Sequence, residues 1–92
     1  MAGSARPGDR RPERVSVTVL WSPAALFVLY RLSRSAAETV DGAVLLLAHR
    51  GEGHLEWVAP YHRLRAGKHD VMLAIDPDAL AITVLSIFRA RE

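Results

Sequence analysis

Tyr61-His62-Arg63-Leu64-Arg65-Ala66-Gly67-Lys68-His69-Asp70-Val71-Met72-Leu73-Ala74-Ile75-Asp76 is the stretch that decides the fold. A small residue beside a glycine divides two runs in which apolar side chains recur at alternate positions, which is the pattern of a β-hairpin. With Ala66-Gly67 as a two-residue turn, Arg65 lies opposite Lys68, Arg63 opposite Asp70 and Tyr61 opposite Met72, all on one face. Leu64, His69, Val71, Leu73 and Ile75 take the other. A small antiparallel sheet buries its apolar face, so the second set meets the core and Tyr61, Arg63, Arg65, Lys68 and Asp70 face outward. This register also predicts a cross-strand ion pair between Arg63 and Asp70.

Working outward, strands are expected at residues 61–65, 68–76 and 80–89, the last two joined at Asp76-Pro77-Asp78. Residues 54–60 read equally as a short strand or an extended loop. Upstream, Val15, Val17, Val19 and Trp21 alternate with polar or outward positions, predicting a first strand over residues 14–21. Ser22 then offers a capping oxygen and Pro23 a first helical position without an N–H, so a helix over residues 23–32 follows. Ser35 with Glu38 three positions on reads as a capping box for a second helix reaching His49, stopped by Gly51. Its stripe of Ala37, Val40, Val44, Leu47 and Ala48 faces the core. The order β-α-α-β-β-β describes an α+β domain in which a helical hairpin packs on a small, mainly antiparallel twisted sheet. Leu26, Leu29, Val40, Val44, Leu47, Val71, Leu73, Ile75 and Val84 are expected to share one core.

Half of the 92 residues are apolar, enough for one modest core. Residues 14–92 are therefore read as a single domain, preceded by a flexible basic tail over residues 1–13 that has no apolar periodicity. There is no cysteine, so neither a disulfide framework nor a thiolate metal site is available. The four histidines lack the short ligand spacings of a zinc site, and no metal or cofactor is expected. The formal net charge of +2 sits in the first fourteen residues, where Arg6, Arg10, Arg11 and Arg14 outnumber Asp9 and Glu13. Any polyanion must then be recognised by local clustering of charge. The apolar run over residues 15–32 is long enough to suggest a membrane span, but Ser22-Pro23 breaks it, and no small-residue cleavage site marks a signal peptide. A cytoplasmic location is expected.

The hairpin resembles the RelE/ParE superfamily of bacterial toxins, whose signature is a Y-R-L-R strand, a V-G-type turn and a following strand that ends in an acidic turn. Trp21-Ser22-Pro23-Ala24-Ala25-Leu26 is similar to the opening of that family's first helix and Val84-Leu85-Ser86-Ile87 to its last strand, so the likeness covers about residues 15–91. The resemblance implies a toxin held inactive by a cognate antitoxin encoded beside it, with operator DNA bound only through that antitoxin. One branch of the family cuts messenger RNA on the ribosome; another poisons DNA gyrase.

For the cutting branch, the resemblance implies catalytic roles for Arg63, Arg65, His69 and Arg89, and RNA-binding roles for Lys68 and Arg91. Basic side chains of this kind offset charge on a phosphoryl transition state, and a histidine can move a proton near neutral pH. Two departures stand out. Asp70 occupies a position where the family carries arginine, and His69 one where it carries tyrosine. The chain also ends at Glu92, ahead of the segment that bears a late tyrosine in cutting members. A ribosome-dependent endoribonuclease with an altered site is the leading expectation; a gyrase inhibitor and a non-toxic antitoxin-binding member are the alternatives. Trp57 and Tyr61 together suggest an aromatic patch for a docking helix.

Overall fold

The computed structural model describes residues 17–91, so the tail and the first residues of the expected opening strand lie outside it. The described elements are β1 (Thr18–Trp21), α1 (Pro23–Arg31), α2 (Arg34–Arg50), β2 (His54–Val58), β3 (Tyr61–Ala66), β4 (His69–Asp76) and β5 (Ala81–Arg89). The strands form one sheet in the order β1-β5-β4-β3-β2, with β1 parallel to β5 and every other pair antiparallel. This is the expected α+β architecture with one strand added: residues 54–58 are a true strand at the sheet edge, closed onto β3 through Ala59-Pro60.

Both helices start on a serine. Ser22 Oγ accepts from the Ala25 N–H at 3.0 Å and donates to the Leu85 carbonyl at 2.8 Å. That carbonyl is available because the β4–β5 ladder slips between Met72 and Leu73, pairing them with Ser86 and Val84 and leaving Leu85 as the extra residue of a bulge. The cap therefore fixes α1 to the sheet as well as starting it. For α2 the cap is Ser33, whose Oγ accepts from the Ala36 N–H at 3.2 Å, and not the expected Ser35. A capping residue needs extended backbone; Ser33 has it, whereas Ser35 is already inside the helix and Glu38 pairs with Arg34 at 3.4 Å. Gly51 ends α2 in the left-handed region at φ 68°, its N–H donating to the Leu47 carbonyl at 2.9 Å.

The two helices cover one face, α1 against β5 and α2 against β3 and β1. Between them and the sheet lie Ala25, Val40, Val44, Leu47, Leu64, Val71, Leu73, Ile82, Val84 and Ile87, with Val28, Leu29, Leu32 and Ile75 packed on the margin. Six of the nine expected core residues are buried and Leu29 and Ile75 adjoin them. Leu26 does not, because α1 turns the stripe Ala25, Val28, Leu29 and Leu32 inward and Leu26 sits about 100° off it. Among the described residues no helix is long and apolar enough to cross a membrane.

The first hairpin differs from expectation in register. Its turn is Gly67-Lys68, with Gly67 at φ 64°, so Ala66 pairs with His69, Arg65 with Asp70 and Arg63 with Met72. A two-residue turn needs positive φ at its first central position, which glycine supplies and Ala66 would not. Moving the turn by one residue slides the pairing by two. Side chains then keep their faces but change partners.

Candidate functional site

The face away from the helices is built in rows, each crossing the sheet through directly opposed residues. One row is His54 on β2, Arg65 on β3, Asp70 on β4 and Phe88 on β5. The next is Glu56, Arg63, Met72 and Ser86. Opposed side chains on such rows have Cβ atoms about 5 Å apart, close enough for each to touch the next.

Each arginine is held by a carboxylate. Arg63 Nη2 donates to Glu56 Oε1 at 2.6 Å, and that hydrogen bond, together with the glutamate charge, raises the guanidinium pKa above its already high ordinary value. Arg63 is thus a permanent cation. Arg65 Nε donates to Asp70 Oδ1 at 3.0 Å. The expected Arg63–Asp70 pair is replaced by this one, because the slipped register brings Arg65 opposite Asp70 and leaves Arg63 one row away on the same face. The contact engages Nε, so neither terminal nitrogen of Arg65 is taken by Asp70. Asp70 is the one buried charged residue among those described, at 6% exposure, and orients the guanidinium through Nε.

Two clefts meet at these residues. The larger, about 620 Å³, is lined by Gly53, His54, Leu55 and Glu56 together with Arg63, Arg65 and Asp70. The smaller, about 350 Å³, shares the last three and adds Phe88, Arg89 and Arg91. Arg63 and Arg65 therefore form a common wall. Phe88 is 45% exposed at the end of the first row and Tyr61 stands on the same face beyond Arg63, so both rings can stack on a planar group.

The residues singled out from the sequence divide between two places. Arg63, Arg65, Arg89 and Arg91 meet at the smaller cleft. Lys68 and His69 lie instead in a groove of about 410 Å³ at the start of α2, beside Ser33, Ser35 and Thr39, with Arg89 on the rim of both. His69 is opposite Ala66 and Arg89, on the helix side of the sheet, which separates it from the row of Arg65. Trp57 and Tyr61 form no shared patch: Trp57 is opposite His62 on the helix side and meets its ring edge-on at 4.9 Å, while Tyr61 faces outward. The sequence pattern does not single out His54, Glu56 or Phe88 as site residues. Reading residues 54–58 as a strand paired with β3 through Ala59-Pro60 would have placed His54 opposite Arg65. Among the described residues no three histidine, aspartate or glutamate side chains gather to hold a metal.

No protein-family model matches the sequence, and no curated protein matches it at a significant level. Solved structures do match. The toxin–antitoxin complex RelBE2 from Mycobacterium tuberculosis is 17% identical over 83% of this chain and 100% of that one, with a TM-score of 0.68. The isolated RelE toxin of E. coli is 12% identical over 84% of this chain and 87% of its own, at a TM-score of 0.66. The YoeB dimer from Staphylococcus aureus is 13% identical over 85% and 100%, at 0.65. The chain has the RelE-like fold.

Proposed function

We propose that this chain is the toxin of a type II toxin–antitoxin pair and acts as a ribosome-dependent endoribonuclease on messenger RNA. The observation that carries the reading is the pair of guanidinium groups, Arg63 and Arg65, set on one face of a RelE-like sheet at the wall shared by two clefts. Alternate positions on a strand are about 6.6 Å apart, so the two cations engage one phosphodiester or two successive ones. Arg89 and Arg91 extend the basic track along the smaller cleft, and Tyr61 and Phe88 supply stacking surfaces for bases that have left their own stack. Fixed cations of this kind stabilise charge that builds on the phosphoryl oxygens as an adjacent 2′-oxygen attacks. The partner that silences the site is an antitoxin encoded beside the toxin.

A second reading is favoured by one specific feature. Glu56 and Asp70 place two carboxylates among the cations, an arrangement that suits a protein ligand better than a polyphosphate, and a non-cutting member that only engages an antitoxin would present such a face.

Inducible expression in a bacterium, with and without the neighbouring gene product, followed by mapping of messenger 5′ ends, tests the two readings. The expected outcome is growth arrest relieved by the partner, cleavage within translated messages, and loss of about 10²-fold in cleavage rate for R63A or R65A, the size of one transition-state donor. Arrest with DNA damage and intact messages would point to gyrase, and no arrest to the non-cutting member.

A further inference from the structure

We propose that His54 is the proton-transfer residue of this site, the general base that takes the proton from the attacking 2′-hydroxyl; this rests on the nuclease reading above. Four histidines occur in the chain, and the fold sends three of them elsewhere. His49 is in the last turn of α2, and His62 and His69 are on the helix side of the sheet. His54 alone stands on the outer face, directly opposite Arg65.

Its neighbours explain why the role falls to it. The groups facing it across the larger cleft are Arg63 and Arg65 from β3 and Asp70 from β4, with Glu56 on its own strand. Neither arginine gives up a proton near neutrality. Glu56 is bound to Arg63 at 2.6 Å, and Asp70 is 6% exposed and bound to Arg65 at 3.0 Å. His54 is exposed and, among the described residues, its side chain makes no hydrogen bond or ion pair. Tyr61, whose phenol also carries a proton on this face, is four positions from Arg65 along β3, about 13 Å away. Imidazole is the side chain whose protonation changes between pH 5 and 8, which suits a base acting near neutral pH.

The step balances without a co-reactant. As the His54 imidazole removes the 2′-hydroxyl proton, O2′ forms a bond to phosphorus and the bond from phosphorus to O5′ breaks. O5′ takes a proton from water and the imidazolium returns its own to solvent. The products are a 2′,3′-cyclic phosphate and a 5′-hydroxyl, with no change in oxidation state. Arg65, adjacent to His54 in the row, sits where it holds the phosphate while the base works on the neighbouring ribose.

The test is single-turnover cleavage of ribosome-bound messenger from pH 5 to 9 by the full chain, as wild type, H54Q and H54A. The expected result is a wild-type rate that climbs and then levels as an imidazole would lose its proton. In H54Q, kcat falls about 10²-fold with KM within twofold, and the pH limb disappears. Added imidazole restores part of the H54A rate. Wild-type rates and an unchanged pH limb in H54Q overturn the assignment while leaving the nuclease reading intact, as does a rise in KM alone. If the wild type does not cleave, both fall together.

Discussion

Removing Arg65 should destabilise the fold more than neutralising Asp70, although the two share one contact. The Asp70 side chain is 9% exposed and that of Arg65 51%. Breaking a fully buried pair by deleting one partner costs about 3–5 kcal/mol, whereas an exposed pair contributes about 0–1 kcal/mol. In R65A the carboxylate remains in its low-exposure position without its guanidinium, and the open cleft beside it admits water, which places the loss near 2 kcal/mol. In D70N the amide oxygen still accepts from Nε and the freed charge belongs to the more exposed partner, so the loss is about 0.5–1 kcal/mol. R65M, which keeps most of the aliphatic stem, separates lost packing from lost charge and should stay within about 0.5 kcal/mol of R65A. Urea unfolding at pH 7 reads these values directly. With a slope of about 1 kcal/mol per molar for a chain this small, the midpoint drops by roughly 2 M for R65A and by at most about half that for D70N. An equal or larger loss in D70N would refute the reasoning, because it would mean that the carboxylate stabilises the fold through something other than Arg65.

Two further predictions follow from local geometry. S22A should lose about 2 kcal/mol against about 1 kcal/mol for S33A in the same unfolding assay, since Ser22 Oγ both caps α1 and satisfies the bulged Leu85 carbonyl while Ser33 Oγ only caps α2. G53A should lose about 2–3 kcal/mol by thermal or urea unfolding, because Gly53 has φ 147° and an added Cβ would lie 2.9 Å from Leu64 Cδ1, inside the core; an effect below 0.5 kcal/mol would mean that the approach to β2 relaxes at little expense.

Much of the fold is legible in the chain because binary pattern and punctuation agree. Alternating valines before Ser22-Pro23, the stripe from Val40 to Ala48 and the glycine at 51 each point to the element found there. The faces of the first hairpin are legible too, since Leu64, Val71 and Leu73 can only be buried together. Pairing is harder to read. Ala66-Gly67 and Gly67-Lys68 are turns of equal length with the same side-chain faces, and what separates them is the positive φ of one glycine. That difference moved the ion pair from Arg63 to Arg65. The site lost most to residues 54–58, whose side chains are largely exposed on both faces, so burial leaves no apolar rhythm to separate strand from loop. His54 stayed out of view with them.

The position of β5 has a consequence for synthesis. Ser22 Oγ meets the carbonyl of Leu85 across 63 positions of chain, and β1 and α1 both rest on a strand made after every other described element. At about 5–20 residues per second, the opening strand and helix wait roughly 3–13 s for their support to be translated. During that time the apolar side of α1, with Val28 and Leu29, lacks the strand it packs against, and α2 is the element available to cover β1. Arrival of β5 thus governs when β1 and α1 can dock, and a truncation within it would detach them from β4, β3 and β2 rather than trim an end.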